Sequence, residues 1–442
     1  MKYISKRNIW LFGLVVLMIT MITILSQNKS IYAQNKRKLK NLNYIDKELE
    51  KIVLDGKAPG MIAAIISSNG IIEIGSAGVR KAGSGIAITN NDLVHIGSCT
   101  KAMTAAMLAT LVTEGKLSWD MKLTKAIPEL KINIHPDLQN TTLWQLLTHR
   151  SGIPNDPIDW YAYADEDIKD RRFSILKDNI KLAPAYTDGE FHYSNYGYVV
   201  AACMAEQITG LSWETLMRER LFEPLGMTTA GFGDPVKNKS IDQPWGHKRS
   251  WLGNKWKPSR DYYGEVISPA GRVHCSIEDW AKFISLQLPG ENSILDRKIL
   301  NKLIEPNGVY AGGWVVFQQT EQPWAKGIVL VHGGSNEIWY AAVMVAPAID
   351  RAYVVVTNSC EFGASNVLCV EMTNKIAKMD LKHRKKRLGK SENYNSETGL
   401  ISNRKLIPSS WIGTIKMGDK NPDLGFNLFA DSSGVLAGNL ST

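Results

Sequence analysis

From residue 100 onward, apolar side chains recur at Ala102, Ala105, Ala106, Ala109 and Val112. That spacing predicts one buried helical face, and Gly115 supplies the stop expected just past a helix C-terminus. A shorter helical pattern covers 45–53. Two β-rich runs, 61–67 and 71–78, flank Ser68-Asn69-Gly70, and Asn-Gly between such runs predicts a tight hairpin. From 124 to 227 the pattern is mainly helical with polar loops, including 143–148, 199–209 and 213–221. A loop-rich stretch follows, with Trp245, Trp251, Trp256, Tyr262 and Tyr263 interleaved with basic residues. Strand character returns at 328–331, 339–345 and 352–357, and a helix over 366–379 follows. Strands, then many helices, then strands predict an α+β fold. The first and last strand segments share one sheet, and a mainly helical subdomain is inserted between them.

The ends of the chain differ from its body. An apolar run over 9–25 follows Lys2, Lys6 and Arg7 and precedes the small residue Ala33. Residues 1–33 therefore read as an export signal or an uncleaved N-terminal membrane anchor, and both place the body outside the cytoplasm. In a cell with two membranes the anchor is expected in the inner one, held by 9–25. The body is expected over 34–380, a basic and polar linker over 381–409, and a short β segment over 410–442. The 442 residues carry a formal charge of +9, which lies at two places. Residues 1–33 hold four basic residues and no acid, and 380–390 hold six against Asp380. The rest is balanced, which argues against a nucleic-acid partner. Five cysteines without a Cys-x-x-Cys pair, and no zinc-ligand or phosphate-loop motif, give no support for a metal or a nucleotide cofactor. Pairing of Cys360 with Cys369 is left open.

Of four Ser-x-x-Lys matches, only Ser98/Lys101 combines a glycine turn (His95-Ile96-Gly97) with a long helical pattern behind it. Residues i and i+3 share a helix face, so the Lys101 amine is placed to activate the Ser98 hydroxyl as a nucleophile. The helix N-terminus adds donors that favour a developing oxyanion. Tyr193-Ser194-Asn195 lies in a polar loop before a helix expected from Val199. There a tyrosine beside a lysine ammonium can act as phenolate or share a proton, and so relay the Ser98 proton to a leaving group, and Asn195 offers both a donor and an acceptor to a substrate amide. A helix-entry loop in which Asn caps and Tyr packs is the alternative. His332-Gly333-Gly334-Ser335 follows the strand at 328–331. Two glycines at a strand end allow close backbone approach, and the Ser335 N–H would join the Ser98 N–H as the second oxyanion donor.

In this order, Ser-x-x-Lys, Tyr-x-Asn and His-Gly-Gly resemble the serine β-lactamase and penicillin-binding protein clan, closest to its class C β-lactamase-like branch. That branch includes D,D-peptidases, D-aminopeptidases and esterases. Leu146-Leu-Thr-His-Arg-Ser-Gly-Ile153, Ser268-Pro-Ala-Gly-Arg272 and Ser276-Ile-Glu-Asp-Trp280 add to the resemblance, which spans 45–380. It implies a central antiparallel sheet flanked by helices, with a helical subdomain, and two-step acyl transfer without a metal. By the same resemblance Ser98 is the acylated nucleophile, Lys101 its base and Tyr193 the proton shuttle. Asn195, His332, Gly334 and Ser335 are the substrate-binding positions. His332 and Gly333 stand where the family carries Lys and Thr. A histidine charged only part of the time near neutral pH is a weak anchor for a β-lactam carboxylate. The expected activity is therefore an exported serine hydrolase acting on a D-amino-acid peptide or an ester, including cell-wall peptide, rather than an efficient β-lactamase. An anchored penicillin-recognising or peptidoglycan-binding protein with little turnover is the alternative.

Overall fold

The computed structural model describes residues 42–236, 241–250, 255–260, 264–290, 294–361 and 363–388, with the backbone of three strands at 410–415, 424–430 and 436–441. The N-terminal segment expected over 1–33 lies outside the described residues. Helix α1 (Tyr44–Leu54) leads into the hairpin β1 (Gly60–Ser67) and β2 (Gly70–Gly78). Strand β3 (Val94–His95) and a 3-10 turn (Gly97–Cys99) precede α2 (Thr100–Thr113). The insert follows, with α3 (Leu123–Ala126), α4 (Leu143–Leu147), α5 (Ile168–Asn179), α6 (Asn195–Thr209) and α7 (Trp213–Met217). The chain returns through β4 (Gly231–Phe232), β5 (Gly246–Arg249), β6 (Trp256–Ser259), α8 (Ser268–Gly271), β7 (Val273–Cys275), α9 (Ile277–Ser285) and α10 (Arg297–Leu303). Strands β8 (Val315–Gln322), β9 (Ala325–Ser335), β10 (Tyr340–Ala346) and β11 (Arg351–Thr357) then complete the sheet, and α11 (Ala364–Leu388) covers it.

The six-stranded sheet runs β2-β1-β11-β10-β9-β8 with antiparallel neighbours, so the first hairpin joins the last strands as the pattern predicts. Strand β1 is buried on both faces, and its period of two divides the core. Ile62, Ala64 and Ile66 pack toward α2, while Met61, Ala63 and Ile65 pack with Leu49 of α1 and Met372 and Ile376 of α11. The open edge of β2 is covered by the start of α1. The Asn43 amide donates to the Ile74 carbonyl at 3.0 Å, and the Asp46 carboxylate accepts from the Ser76 N–H at 2.8 Å.

Helix α2 departs from the one-faced pattern, since every residue from Thr100 to Leu111 is buried. It lies between the sheet and the insert, which is why small alanines dominate it. The insert is pinned by Arg172 of α5, whose guanidinium reaches Glu206 of α6 and Glu214 of α7, each at 2.6 Å. Burial of both Arg172 and Glu206 makes each charge dependent on the other.

Four expectations change. Strand β8 is an edge strand whose Gln-Gln-Thr-Glu stretch hid it from a hydrophobic reading. Strand β9 extends through the glycines, so His332–Ser335 lie in the ladder, paired with Tyr340–Val343, rather than after a strand end. Helix α6 starts at Asn195, with Ser194 as the cap. Helix α11 runs through position 380, so the boundary expected at 380/381 falls inside a continuous helix. All five cysteines are free and buried.

Candidate active site

Ser98 sits in the tight turn that feeds α2. Gly97 holds φ at +51°, the left-handed region that favours glycine, and a β-carbon there would collide with the Ser335 backbone nitrogen. A β-carbon at Gly334 would strike the Ile96 carbonyl, and it would lie 2.8 Å from the Ser98 nitrogen. Two glycines thus let β9 lie against the nucleophile turn and bring the Ser335 backbone to the Ser98 amide. From the other side, His95 Nδ1 accepts from the Gly97 N–H at 3.2 Å.

Lys101 lies one turn on, with a fully buried side chain. Its Nζ is 3.2 Å from Ser98 Oγ and 2.8 Å from both Asn195 Oδ1 and the Ala270 carbonyl. Burial holds the amine well below its usual value. A neutral amine has two N–H groups and one lone pair. In that form Asn195 and Ala270, both acceptors, take the two N–H groups, which leaves the lone pair for Ser98, as a general base requires. Ala270 belongs to the Ser268–Arg272 segment, which also braces α2 through Thr104 Oγ1 to the Pro269 carbonyl at 2.7 Å.

Tyr193 shares a hydrogen bond with Ser98, and burial is the main cause that raises its phenol. Lys101 Nζ lies 4.7 Å from the centroid of its ring. Burial thus disfavours a phenolate at Tyr193 and favours a phenol that shares its proton with its neighbours. It suits donation of a proton to a leaving group. His149, held at φ +59°, templates this loop. Its carbonyl accepts from the His192 N–H at 2.8 Å, its Nδ1 accepts from the Ser194 N–H at 3.0 Å, and its ring lies 4.4 Å from that of Tyr193. Further on, the Asn155 carbonyl accepts from the Tyr196 N–H at 2.9 Å.

His332 is not presented to the cleft. Its Nδ1 donates to the Gly333 carbonyl at 2.6 Å, so its Nε2 accepts from the Tyr310 hydroxyl at 2.8 Å. Burial, with Lys101 adding to it, pushes the ring down to about 3. It is neutral near pH 7, not partly charged, and both nitrogens are engaged within the protein. Gly333 is exposed and bears no side chain. The third segment therefore contributes backbone and no positive charge.

Ser98, Tyr193, Asn195 and Ser335 remain partly open to solvent, and Lys101 and His332 are buried beneath them. The geometry gathers all the expected site residues, with His332 and Gly334 in supporting rather than substrate-facing places. Sequence reasoning missed Tyr310 and Asp156, since neither is carried by a motif. Of the tryptophan-rich loop, Trp256 donates to the Gly56 carbonyl at 3.1 Å and Trp245 packs under Lys81; Trp251, Tyr262 and Tyr263 lie outside the described residues.

The chain is similar to Protein flp of Staphylococcus aureus (strain N315), at 25% identity over 323 residues, covering 71% of this chain and 62% of that protein. The match thus takes in less than two thirds of that relative's length. Among solved structures, the octameric penicillin-binding protein homologue from Pyrococcus abyssi superposes with a TM-score of 0.63 at 20% identity, over 89% of this chain and 99% of the other. The D-amino acid amidase from Ochrobactrum anthropi SV3, complexed with L-phenylalanine amide, gives 0.62 at 20% identity over 79% and 99%. At such identities these two share the fold. The family model described as Beta-lactamase matches residues 43–367, from the cap of α1 into α11, and the chain therefore belongs to the Beta-lactamase family.

Proposed function

We propose that this member of the Beta-lactamase family, a serine hydrolase, is exported and cleaves an amide or ester of an amino-acid-like acyl group through a covalent acyl-enzyme. The observation that carries this reading is the buried Lys101 amine 3.2 Å from Ser98 Oγ, held by desolvation well below its usual value. Lys101 takes the Ser98 proton as Oγ attacks the carbonyl carbon. The Ser98 and Ser335 N–H groups receive the charge that develops on the carbonyl oxygen. Tyr193 protonates the departing nitrogen or oxygen and regains a proton from the Lys101 ammonium. Water then attacks the acyl carbon, the same pair takes its proton and passes it to Ser98 Oγ as the acyl–oxygen bond breaks, and the acid product and free Ser98 are released. A neutral His332 and a side-chain-free Gly333 offer no cation to a β-lactam carboxylate, which favours peptides, amides and esters over β-lactams. The basic and apolar N-terminal residues support export, with 9–25 as signal or membrane anchor.

The test is turnover of a chromogenic acetate ester by the full chain, with intact-protein mass read in parallel. Turnover with a transient acyl adduct, both lost in Ser98→Ala, is the expected result. Activity that survives Ser98→Ala would sink the assignment. A stable penicilloyl adduct without ester turnover would point instead to a penicillin-recognising protein.

A further inference from the structure

Asp156 is an exposed residue one hydrogen bond from the site. Its carboxylate accepts from the Asn155 side-chain amide at 3.0 Å and from the Trp160 indole N–H at 3.3 Å. It also accepts from the side chain of Asn195, whose Oδ1 holds Lys101. Three donors occupy three of the roughly four lone-pair positions of a carboxylate, so acceptor capacity remains. Among the described residues no lysine, arginine or histidine forms an ion pair with Asp156. Burial raises the Asp156 carboxyl, while the Trp160 and Asn195 donors and the field of Lys101 lower it. Three neutral donors fix the carboxylate in place, as a preorganised recognition group requires.

The sign of the charge is decisive. The third segment, where a substrate carboxylate would be sought, is neutral at His332 and empty at Gly333. Beside the acyl-transfer centre stands a fixed, solvent-reaching anion. Such a cleft attracts a cation and repels a carboxylate. We propose that Asp156 is the receptor for a substrate ammonium group, so that the preferred acyl donor is an unblocked amino-acid amide, ester or peptide carrying a free amine. This rests on the acyl-transfer reading above and adds the polarity of the acyl group.

The experiment compares D-alanine p-nitroanilide with N-acetyl-D-alanine p-nitroanilide in the full chain, with p-nitrophenyl acetate as an amine-free reference. The wild type is expected to favour the free amine in kcat/KM by roughly 10- to 100-fold, the range of one hydrogen-bonded charge pair. Added salt reduces the ratio, because the carboxylate is exposed. In Asp156→Asn the ratio collapses toward unity, and Asp156→Glu restores part of it. The ratio is the readout, so a general loss through Asn195 cancels. Where Asp156→Asn fails to fold, the wild-type ratio and its salt dependence decide. A wild type that turns over the acetate but shows no preference for the amine overturns the inference. So does a preference that persists in Asp156→Asn. No turnover of any of the three substrates overturns the acyl-transfer reading itself.

Discussion

Replacing Lys101 with methionine removes the amine and keeps most of the buried volume. Two effects follow, and they separate a base from a structural cation. Loss of the proton acceptor is expected to lower the acylation rate by at least ~10²–10⁴-fold, the range of general base catalysis. The stability effect has two parts. Asn195 Oδ1 and the Ala270 carbonyl lose their donor, at about 1–3 kcal/mol each. Against this, the wild type holds an amine deprotonated at pH values where the unfolded chain protonates it. The folded value is depressed, so the unfolded state binds one more proton between that value and the ordinary 10.5. Wild-type stability therefore rises with pH through this window, by about 1.4 kcal/mol per pH unit relative to the variant. It is fully present above the unfolded value and is lost as pH falls toward the folded one, below which the difference is constant. Urea unfolding of both proteins from pH 5 to 9 measures the difference curve. Its break marks the Lys101 titration and must coincide with the acid limb of the wild-type pH–rate profile. A difference independent of pH over the alkaline half of this range would mean that Lys101 is protonated in the folded protein, and the base assignment would fall.

Tyr193→Phe keeps the ring against His149 but loses the hydroxyl. Ester or amide turnover is expected to drop ~10²–10⁴-fold while stability changes by about 1 kcal/mol, measured by steady-state kinetics and denaturant midpoint. Gly97→Ala forces a β-carbon into a left-handed site and against Ser335, so a loss of about 2–5 kcal/mol is expected together with loss of acylation. A near-native melting temperature with intact acylation would contradict the packing of β9 on the turn. Arg172→Ala leaves Glu206 buried without its partner, and about 3–5 kcal/mol of stability should vanish. Replacing Arg172 and Glu206 together by apolar residues should recover much of that. His332 is already neutral above pH 4, since its value lies at about 3. His332→Gln is thus expected to leave the acid limb of the pH–rate profile in place, and a shifted limb would show that this ring titrates during catalysis.

What could be read from the sequence depended on how local each signal was. The Asn-Gly hairpin, the helix after Ser98 and the β-branched runs at β10 and β11 each announce themselves within a few residues. Ser98 and Lys101 are neighbours on one helical turn, so their pairing was visible too. Strand β8 was not, because an edge strand need not be apolar. The extent of β9 was hidden by its glycines, which look like a strand end until the ladder with β10 is known. Charge states were the least legible. A free histidine or lysine titrates at familiar values, and only the tertiary enclosure of Lys101 and His332 moves them. Asp156 escaped notice for the opposite reason. It is one acid among many in a polar loop, and its meaning comes from Asn195, 39 positions later.

The pairing of Met61 with Thr357 has a temporal consequence. The turn bearing the nucleophile and the strand bearing its partner amide are held by a sheet that joins β1 to β11, two strands far apart in the chain. Joining them closes a loop of hundreds of residues, which slows folding and delays it until β11 has emerged. Until that moment the polypeptide has no competent centre. Any fragment that lacks β11 therefore carries Ser98 and Lys101 without the sheet that assembles the site around them.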